Sequence, residues 1–69
     1  MAFGIAVRKI RTERGISQER LAELADIHRT YIGDVERGTR NVALVNMCKI
    51  AAALDIRLSV LMHEAEKLR

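Results

Sequence analysis

Apolar residues recur at helical spacing along almost the whole chain. The stripe is clearest near the start, where its members are Phe3, Ala6, Val7 and Ile10. Residues at i, i+3, i+4 and i+7 share one face of a helix, and such a face packs against a core. The pattern predicts helices at residues 3–14, 18–25, 29–37, 44–54 and 58–67. Proline is absent and no segment alternates as a strand would, so the sequence predicts an all-α fold.

Residues at the predicted helix ends support these boundaries. Gly15 and Gly38 follow the first and third helices, where glycine adopts the left-handed conformation without strain. Ser17 is a strong N-cap for the second helix. Asp26 opens the next turn, and aspartate tolerates a positive φ better than most residues. His28 occupies the N-cap position of the third helix and is expected to be a poor cap.

Segment 18–37 predicts two short helices joined by a tight turn, which is the layout of a helix-turn-helix. Ala22 is small enough to let the two helices approach closely. The residues expected to face inward from the second helix are Leu21, Ala22, Leu24 and Ala25. Ile32 and Val35 are expected to face inward from the third helix.

These inward positions leave Arg29, Thr30 and Asp34 outward on the third helix, with Tyr31 on its flank. Arginine donates two hydrogen bonds to a guanine edge, and threonine bonds a base or touches a thymine methyl group. The sequence therefore predicts that Arg29, Thr30 and Tyr31 contact bases. Asp34 either accepts from cytosine or is an exposed charge. The simpler alternatives are a solvated Arg29 and a Tyr31 that covers the edge of the core.

Phosphate contacts are predicted at both ends of the motif. Gln18 lies at the start of the second helix, where backbone N–H groups favour anions. Arg40 and Asn41 lie in the loop after the third helix and are expected to bind phosphate. Arg37 has the same predicted role, although a cation at a helix C-terminus is also favoured by the helix dipole alone.

The composition is that of a small packed domain with a basic balance. The 69 residues are 49% hydrophobic and 30% charged, and the net charge is +3. This predicts one domain over residues 1–69 and favours a polyanionic partner. Cys48 is the only cysteine, and we expect it to be a buried small hydrophobe in a reducing cytoplasm. No signal peptide or membrane span is predicted, so the protein is expected to be cytoplasmic.

Signatures of an enzyme are missing from the sequence. It has no glycine-rich phosphate loop, no nucleophile–base set and no metal-ligand spacing among its histidines and cysteine. We therefore predict a protein that is not an enzyme and that has no cofactor, metal ion or small-molecule ligand.

The chain from Arg11 to Leu54 resembles the Cro/C1-type helix-turn-helix regulators, also called the XRE family. The motifs that carry the resemblance are RTERGISQERLAELA, HRTYIGDVERGTRN and KIAAALDI. The phrase RTYIGDVERGTRN further resembles the controller proteins of restriction–modification systems. The departures from the family pattern are His28, Ala43 and Arg57, at positions where helices start.

The resemblance implies a compact five-helix, lambda-repressor-like domain that binds a pseudo-palindromic double-stranded DNA operator as a homodimer. RNA polymerase is a further implied partner, since promoter occupancy blocks or recruits it. Base contacts are implied for Arg29, Thr30, Tyr31 and Asp34, and phosphate contacts for Gln18, Arg40 and Asn41. The family also implies a buried ion pair between Arg11 and Glu36.

The last predicted helix, residues 58–67, is the expected dimerisation element. Its apolar residues are Leu58, Val60, Leu61, Met62 and Ala65, followed by Leu68. One face must close the core of the monomer, and a second edge from Val60 to Leu68 favours a dimer. An alternative function of a different class is an antitoxin-like module whose helical surface binds another protein.

Overall fold

Five helices follow one another along the chain and are joined by short turns. The computed structural model describes residues 2–67. The helices are α1 (Ala2–Glu13), α2 (Gln18–Ala25), α3 (Arg29–Arg37), α4 (Leu44–Ala53) and α5 (Leu58–Lys67). Residues 2–67 contain no strand, and the prediction of an all-α, five-helix fold is confirmed. The structure has α2, α3 and α5 at their predicted bounds, whereas α1 and α4 each end one residue early.

Every helix contributes to one apolar core, which is aliphatic except for Phe3. The first helix packs on α3 and α5, α2 packs on α3 and α4, and α4 packs on α5. The largest fully buried side chains are Leu21, Ile32, Ile50, Leu54, Leu61, Val7 and Val35. Because α3 shares this core with α1 and α2, its buried stripe determines which of its residues point outward.

The helix ends use local hydrogen bonds and left-handed residues. The backbone N–H of Arg20 donates to Ser17 Oγ at 2.9 Å, so Ser17 is the N-cap of α2. Asp26 has φ 56° directly after α2, and Asp55 has φ 59° two residues after the end of α4. His28 is the N-cap of α3, as its position predicts, because its Nδ1 accepts from the Thr30 backbone N–H at 3.0 Å. An imidazole lone pair here replaces the oxygen of a usual cap.

The backbones of α1 and α3 approach each other closely at Gly4. A Cβ atom added there would lie 1.9 Å from the carbonyl oxygen of Val35. Only a residue without a side chain therefore fits at this crossing. The contact sets the distance at which α3 lies on α1.

Several apolar side chains of the helices are exposed, among them Leu24, which the sequence predicts to face inward. Leu24 is 47% exposed and Leu44 is 67% exposed. The single cysteine, Cys48, is also exposed, so the prediction that it is buried is wrong. Leu24 and Cys48 each lie about a third of a turn from the centre of the buried stripe of their helix. Short helices in a small domain bury a narrow stripe, and residues beside it remain in water.

The last helix divides its apolar residues between the core and the surface. Leu61 is fully buried and Ala65 is 6% exposed. Both close the core of the monomer, so a dimer interface would have to use other residues of this helix. Leu58 packs partly buried against the same core, whereas Val60 and Met62 are exposed. The prediction for Leu68 falls outside the described residues.

Candidate nucleic-acid interface

The helix-turn-helix consists of α2, a three-residue turn and α3. Ala22 is 5% exposed where α2 faces its neighbours, and its carbonyl accepts from the Ile27 N–H at 3.0 Å. Asp26 makes the sharp reversal in the left-handed conformation. With Ile32 and Val35 buried, the opposite face of α3 points to solvent.

A shallow groove of about 570 Å³ lies between the start of α2 and the outer face of α3. The residues of α3 that line it are Arg29, Thr30, Gly33 and Arg37. The guanidinium of Arg29 is 3.8 Å from the Glu19 carboxylate, and both side chains are about 70% exposed to solvent. A pair this exposed is weak, so Arg29 is free to exchange Glu19 for another acceptor.

Gly33 lies beneath two long side chains of this groove. A Cβ atom there would lie 3.2 Å from a guanidinium nitrogen of Arg37 and 3.7 Å from the amide oxygen of Gln18. These side chains cover Gly33, so it is buried although it lies on the outward face of α3. Both neighbours are the far ends of flexible side chains and can move away.

A buried ion pair lies behind the groove. The Arg11 guanidinium donates from Nε to Glu36 Oε2 at 2.7 Å and from Nη2 to Oε1 at 3.0 Å. Only 12% of the Arg11 side chain and 3% of the Glu36 side chain are exposed. The hydrogen bond with Glu36 raises the pKa of Arg11, so the guanidinium remains charged. Arg11 also donates to the Ile16 carbonyl at 2.9 Å and thereby holds the turn before α2.

Gln18 belongs to the same network. Its Nε2 donates to Glu36 Oε1 at 3.0 Å. The amide predicted to bind phosphate is therefore engaged by a carboxylate of α3. Through Glu36, the three elements α1, α2 and α3 are connected by side-chain hydrogen bonds, which orient α3.

A second charged cluster lies at the C-terminal end of α3. Asp34 accepts from Arg37 through Oδ1 and from Arg40 through Oδ2, the latter at 3.2 Å. The Arg40 guanidinium also lies over the Tyr31 ring, 4.9 Å from its centroid. Tyr31 is half-buried and packs against the core. The i, i+3 spacing of Asp34 and Arg37 could have indicated the first contact, but no spacing indicates the arrangement of Arg40.

The structure thus places Arg29, Thr30 and Arg37 together around the groove between α2 and α3, where all three are exposed. Arg40 and Asn41, in the following loop, are also exposed. Asp34 and Gln18 lie among them but hold protein partners. The base and phosphate contacts of these residues stay predictions.

Residues 2–67 contain no cluster of three or more side chains suited to hold a metal ion. Within the same residues no helix combines the length and the apolar character that crossing a membrane requires.

A helix-turn-helix family model matches residues 7–61. The chain belongs to this family. It is 53% identical over 58 residues to control protein C.BamHI of Bacillus amyloliquefaciens, covering 83% of this chain and 72% of the relative. It is 47% identical over 66 residues to control protein C.MunI of a Mycoplasma species, with 94% and 89% covered.

Solved structures support the same conclusion. The restriction–modification controller protein C.AhdI from Aeromonas hydrophila superposes with a TM-score of 0.85 and 53% identity, covering 87% of this chain and 91% of that one. The resemblance to Cro/C1-type regulators and to controller proteins is therefore confirmed. These relatives are regulators rather than enzymes.

Proposed function

We propose that this protein is a sequence-specific regulator of transcription that binds double-stranded DNA as a homodimer and controls a restriction–modification operon. The observation that supports this most directly is the outer face of α3. Arg29 and Thr30 are exposed at its N-terminal end, while its inner face is buried against α1 and α2. The names of the relatives support the choice of operon.

In the proposed complex α3 lies in the major groove. Arg29 donates to a guanine edge, and Thr30 and Tyr31 contact neighbouring bases. Arg37, Arg40, Asn41 and the start of α2 at Gln18 bind phosphates on either side of the groove. The base contacts select the sequence, and the phosphate contacts set the position of the protein on the duplex.

The proposed dimer uses the exposed apolar residues of α5, which flank the buried stripe of Leu61 and Ala65. Val60 is 47% exposed and Met62 is 36% exposed, and burial of such side chains stabilises an interface. Two copies would place their α3 helices in successive major grooves roughly 34 Å apart on a pseudo-palindromic operator. Occupancy of promoter DNA in the cytoplasm then blocks or recruits RNA polymerase.

Selection of binding sites from random duplex DNA with the full chain tests this function. We expect enriched sequences with two related half-sites. Loss of one good base contact costs roughly 1–3 kcal/mol of discrimination, so Arg29→Ala should bind the selected and scrambled duplexes with more similar affinity. Arg20→Ala is the matched control, because Arg20 is another exposed arginine of the motif and pairs only locally with Glu23.

Three outcomes would contradict the proposal. The first is a wild-type protein that does not prefer the selected duplex over the scrambled one. The second is an Arg29→Ala variant that retains the full preference for the selected duplex over the scrambled one. The third is a stoichiometric protein partner together with no retardation of any DNA, which would favour the interaction-module alternative.

A further inference from the structure

Asp34 places a carboxylate among the cations that would face DNA. It lies on the outward face of α3, one helical turn after Thr30. Its side chain is 20% exposed, whereas those of Arg37 and Arg40 are 62% and 49% exposed. The carboxylate therefore lies beneath two guanidinium groups that reach into solvent.

The chemistry of this cluster is that of arginine bound to phosphate. A guanidinium donates to a carboxylate and to a phosphate in the same way, with charged hydrogen bonds to two or more oxygens. Asp34 occupies one donor of Arg37 and one donor of Arg40 in the free protein. A DNA phosphate that reaches either arginine must compete with this carboxylate and is repelled by it.

Arg40 is further restrained by Tyr31. Its guanidinium lies 4.9 Å from the centre of the ring while it donates to Asp34. An arginine held between a ring and a carboxylate presents its remaining donors over a narrower range of directions. It then meets a phosphate in fewer positions of the protein on the duplex than a freely moving side chain would.

We propose that Asp34 is a specificity-determining residue that acts by withholding Arg37 and Arg40 from the phosphates of non-cognate DNA. This inference rests on the proposed DNA-binding function. Binding to non-cognate DNA depends almost entirely on phosphate contacts, and it tolerates many positions of the protein. Binding to a cognate site adds base contacts through Arg29 and Thr30, which fix one position of the protein on the duplex. The carboxylate therefore lowers non-cognate affinity more than cognate affinity.

Asp34→Asn tests the inference, because it removes the charge and keeps the shape. We expect the affinity for a scrambled duplex to rise about three- to tenfold, and the slope of log K against log salt to steepen by about 0.9 for each additional phosphate contact. The affinity for the selected duplex should rise less, so the ratio of the two affinities falls. Thermal unfolding of each variant checks that the fold is retained.

Glu23→Gln is the matched control. It raises the net charge by the same amount within the helix-turn-helix, but among residues 2–67 Glu23 pairs only with Arg20, at 3.6 Å. We expect a smaller change of affinity that is equal for the two duplexes. If both variants raise non-cognate binding equally, a general charge effect replaces the role of Asp34 and the inference fails.

A double-mutant cycle adds an independent measurement. Arg40→Gln should weaken binding to the scrambled duplex more in the Asp34→Asn protein than in the wild type, because only there is Arg40 released. Equal losses in the two backgrounds would overturn the inference. The inference would also be overturned if the Asp34→Asn variant bound only the selected duplex more weakly, since Asp34 would then be a base contact.

The two proposals fail in different ways. A wild type that does not prefer the selected duplex contradicts the proposed function, whatever the variants do. A wild type that retains the preference, together with Asp34→Asn that leaves scrambled-duplex affinity and the salt slope unchanged, contradicts this inference alone.

Discussion

Arg11 of α1 and Glu36 of α3 form a two-point ion pair, with nitrogen–oxygen distances of 2.7 and 3.0 Å. The pair is almost fully removed from water and lies directly behind the groove of the helix-turn-helix. It connects α3, which is proposed to enter the DNA major groove, with α1, which has no proposed contact with DNA. The orientation of α3 therefore depends on a contact between residues 25 positions apart.

Loss of one partner of this pair should be costly. Arg11→Met leaves the Glu36 carboxylate buried without its counter-charge, and we expect the free energy of unfolding to fall by about 3–5 kcal/mol. Urea denaturation at one fixed protein concentration measures the change, since a dimer makes stability depend on concentration.

Lys9→Met is the control for that experiment. Lys9 and Glu64 are 3.5 Å apart, but 48% of the lysine side chain is exposed. Such a pair contributes about 0–1 kcal/mol. Similar losses for the two variants would contradict a special role for the buried pair.

The contribution of the Arg11–Glu36 pair to the free energy of unfolding also depends on pH. Because the pKa of Arg11 is raised, this contribution is present at every pH below the ordinary pKa of arginine and is lost only at more alkaline pH.

The two helical glycines should respond oppositely to alanine. Gly4→Ala forces a methyl group against the Val35 carbonyl, so the backbones must separate, and we expect a loss of about 1–3 kcal/mol or more. Gly33→Ala meets only the far ends of two flexible side chains, those of Arg37 and Gln18, and it gains up to about 1 kcal/mol of helix propensity. Thermal unfolding of both proteins compares them, and a Gly4→Ala protein as stable as the wild type would refute the close approach of α1 and α3.

The N-cap hydrogen bond of α3 can be removed without changing any residue on the outer face of this helix. His28→Ala removes the acceptor of the Thr30 N–H, and we expect a loss of about 0.5–2 kcal/mol. His28→Ser supplies an oxygen at the same position and should restore most of that stability. Denaturant titration of the two variants measures their free energies of unfolding. Equal losses of stability for the alanine and serine variants would show that the imidazole contributes through packing instead.

The proposed dimer predicts a difference between two half-exposed apolar residues. Val60→Glu places a charge among the exposed apolar residues of α5, so we expect a monomer in sedimentation analysis and weaker operator binding. Leu24→Glu is the control, because Leu24 has the same 47% exposure but lies on α2. If the Val60→Glu protein sediments as the wild type does, the dimer does not use these residues.

Features that depend on a few consecutive residues were predictable from the sequence alone. The bounds of α2, α3 and α5 and the left-handed Asp26 follow from the apolar spacing and from the residues at each helix end. A cap or a turn is completed within three or four residues, so its signal lies in a short segment. The motif and the outward position of Arg29 follow from the same local information.

Only the tertiary structure decided which parts of each helix lie in the core and which side chains meet across helices. Leu61 is buried while Leu24 is half exposed, although both lie beside other apolar residues. Arg14 donates to the Leu54 carbonyl 40 positions away, and Arg40 reaches both Asp34 and Tyr31. These contacts depend on the angles at which short helices cross, and those angles result from the packing of the whole core.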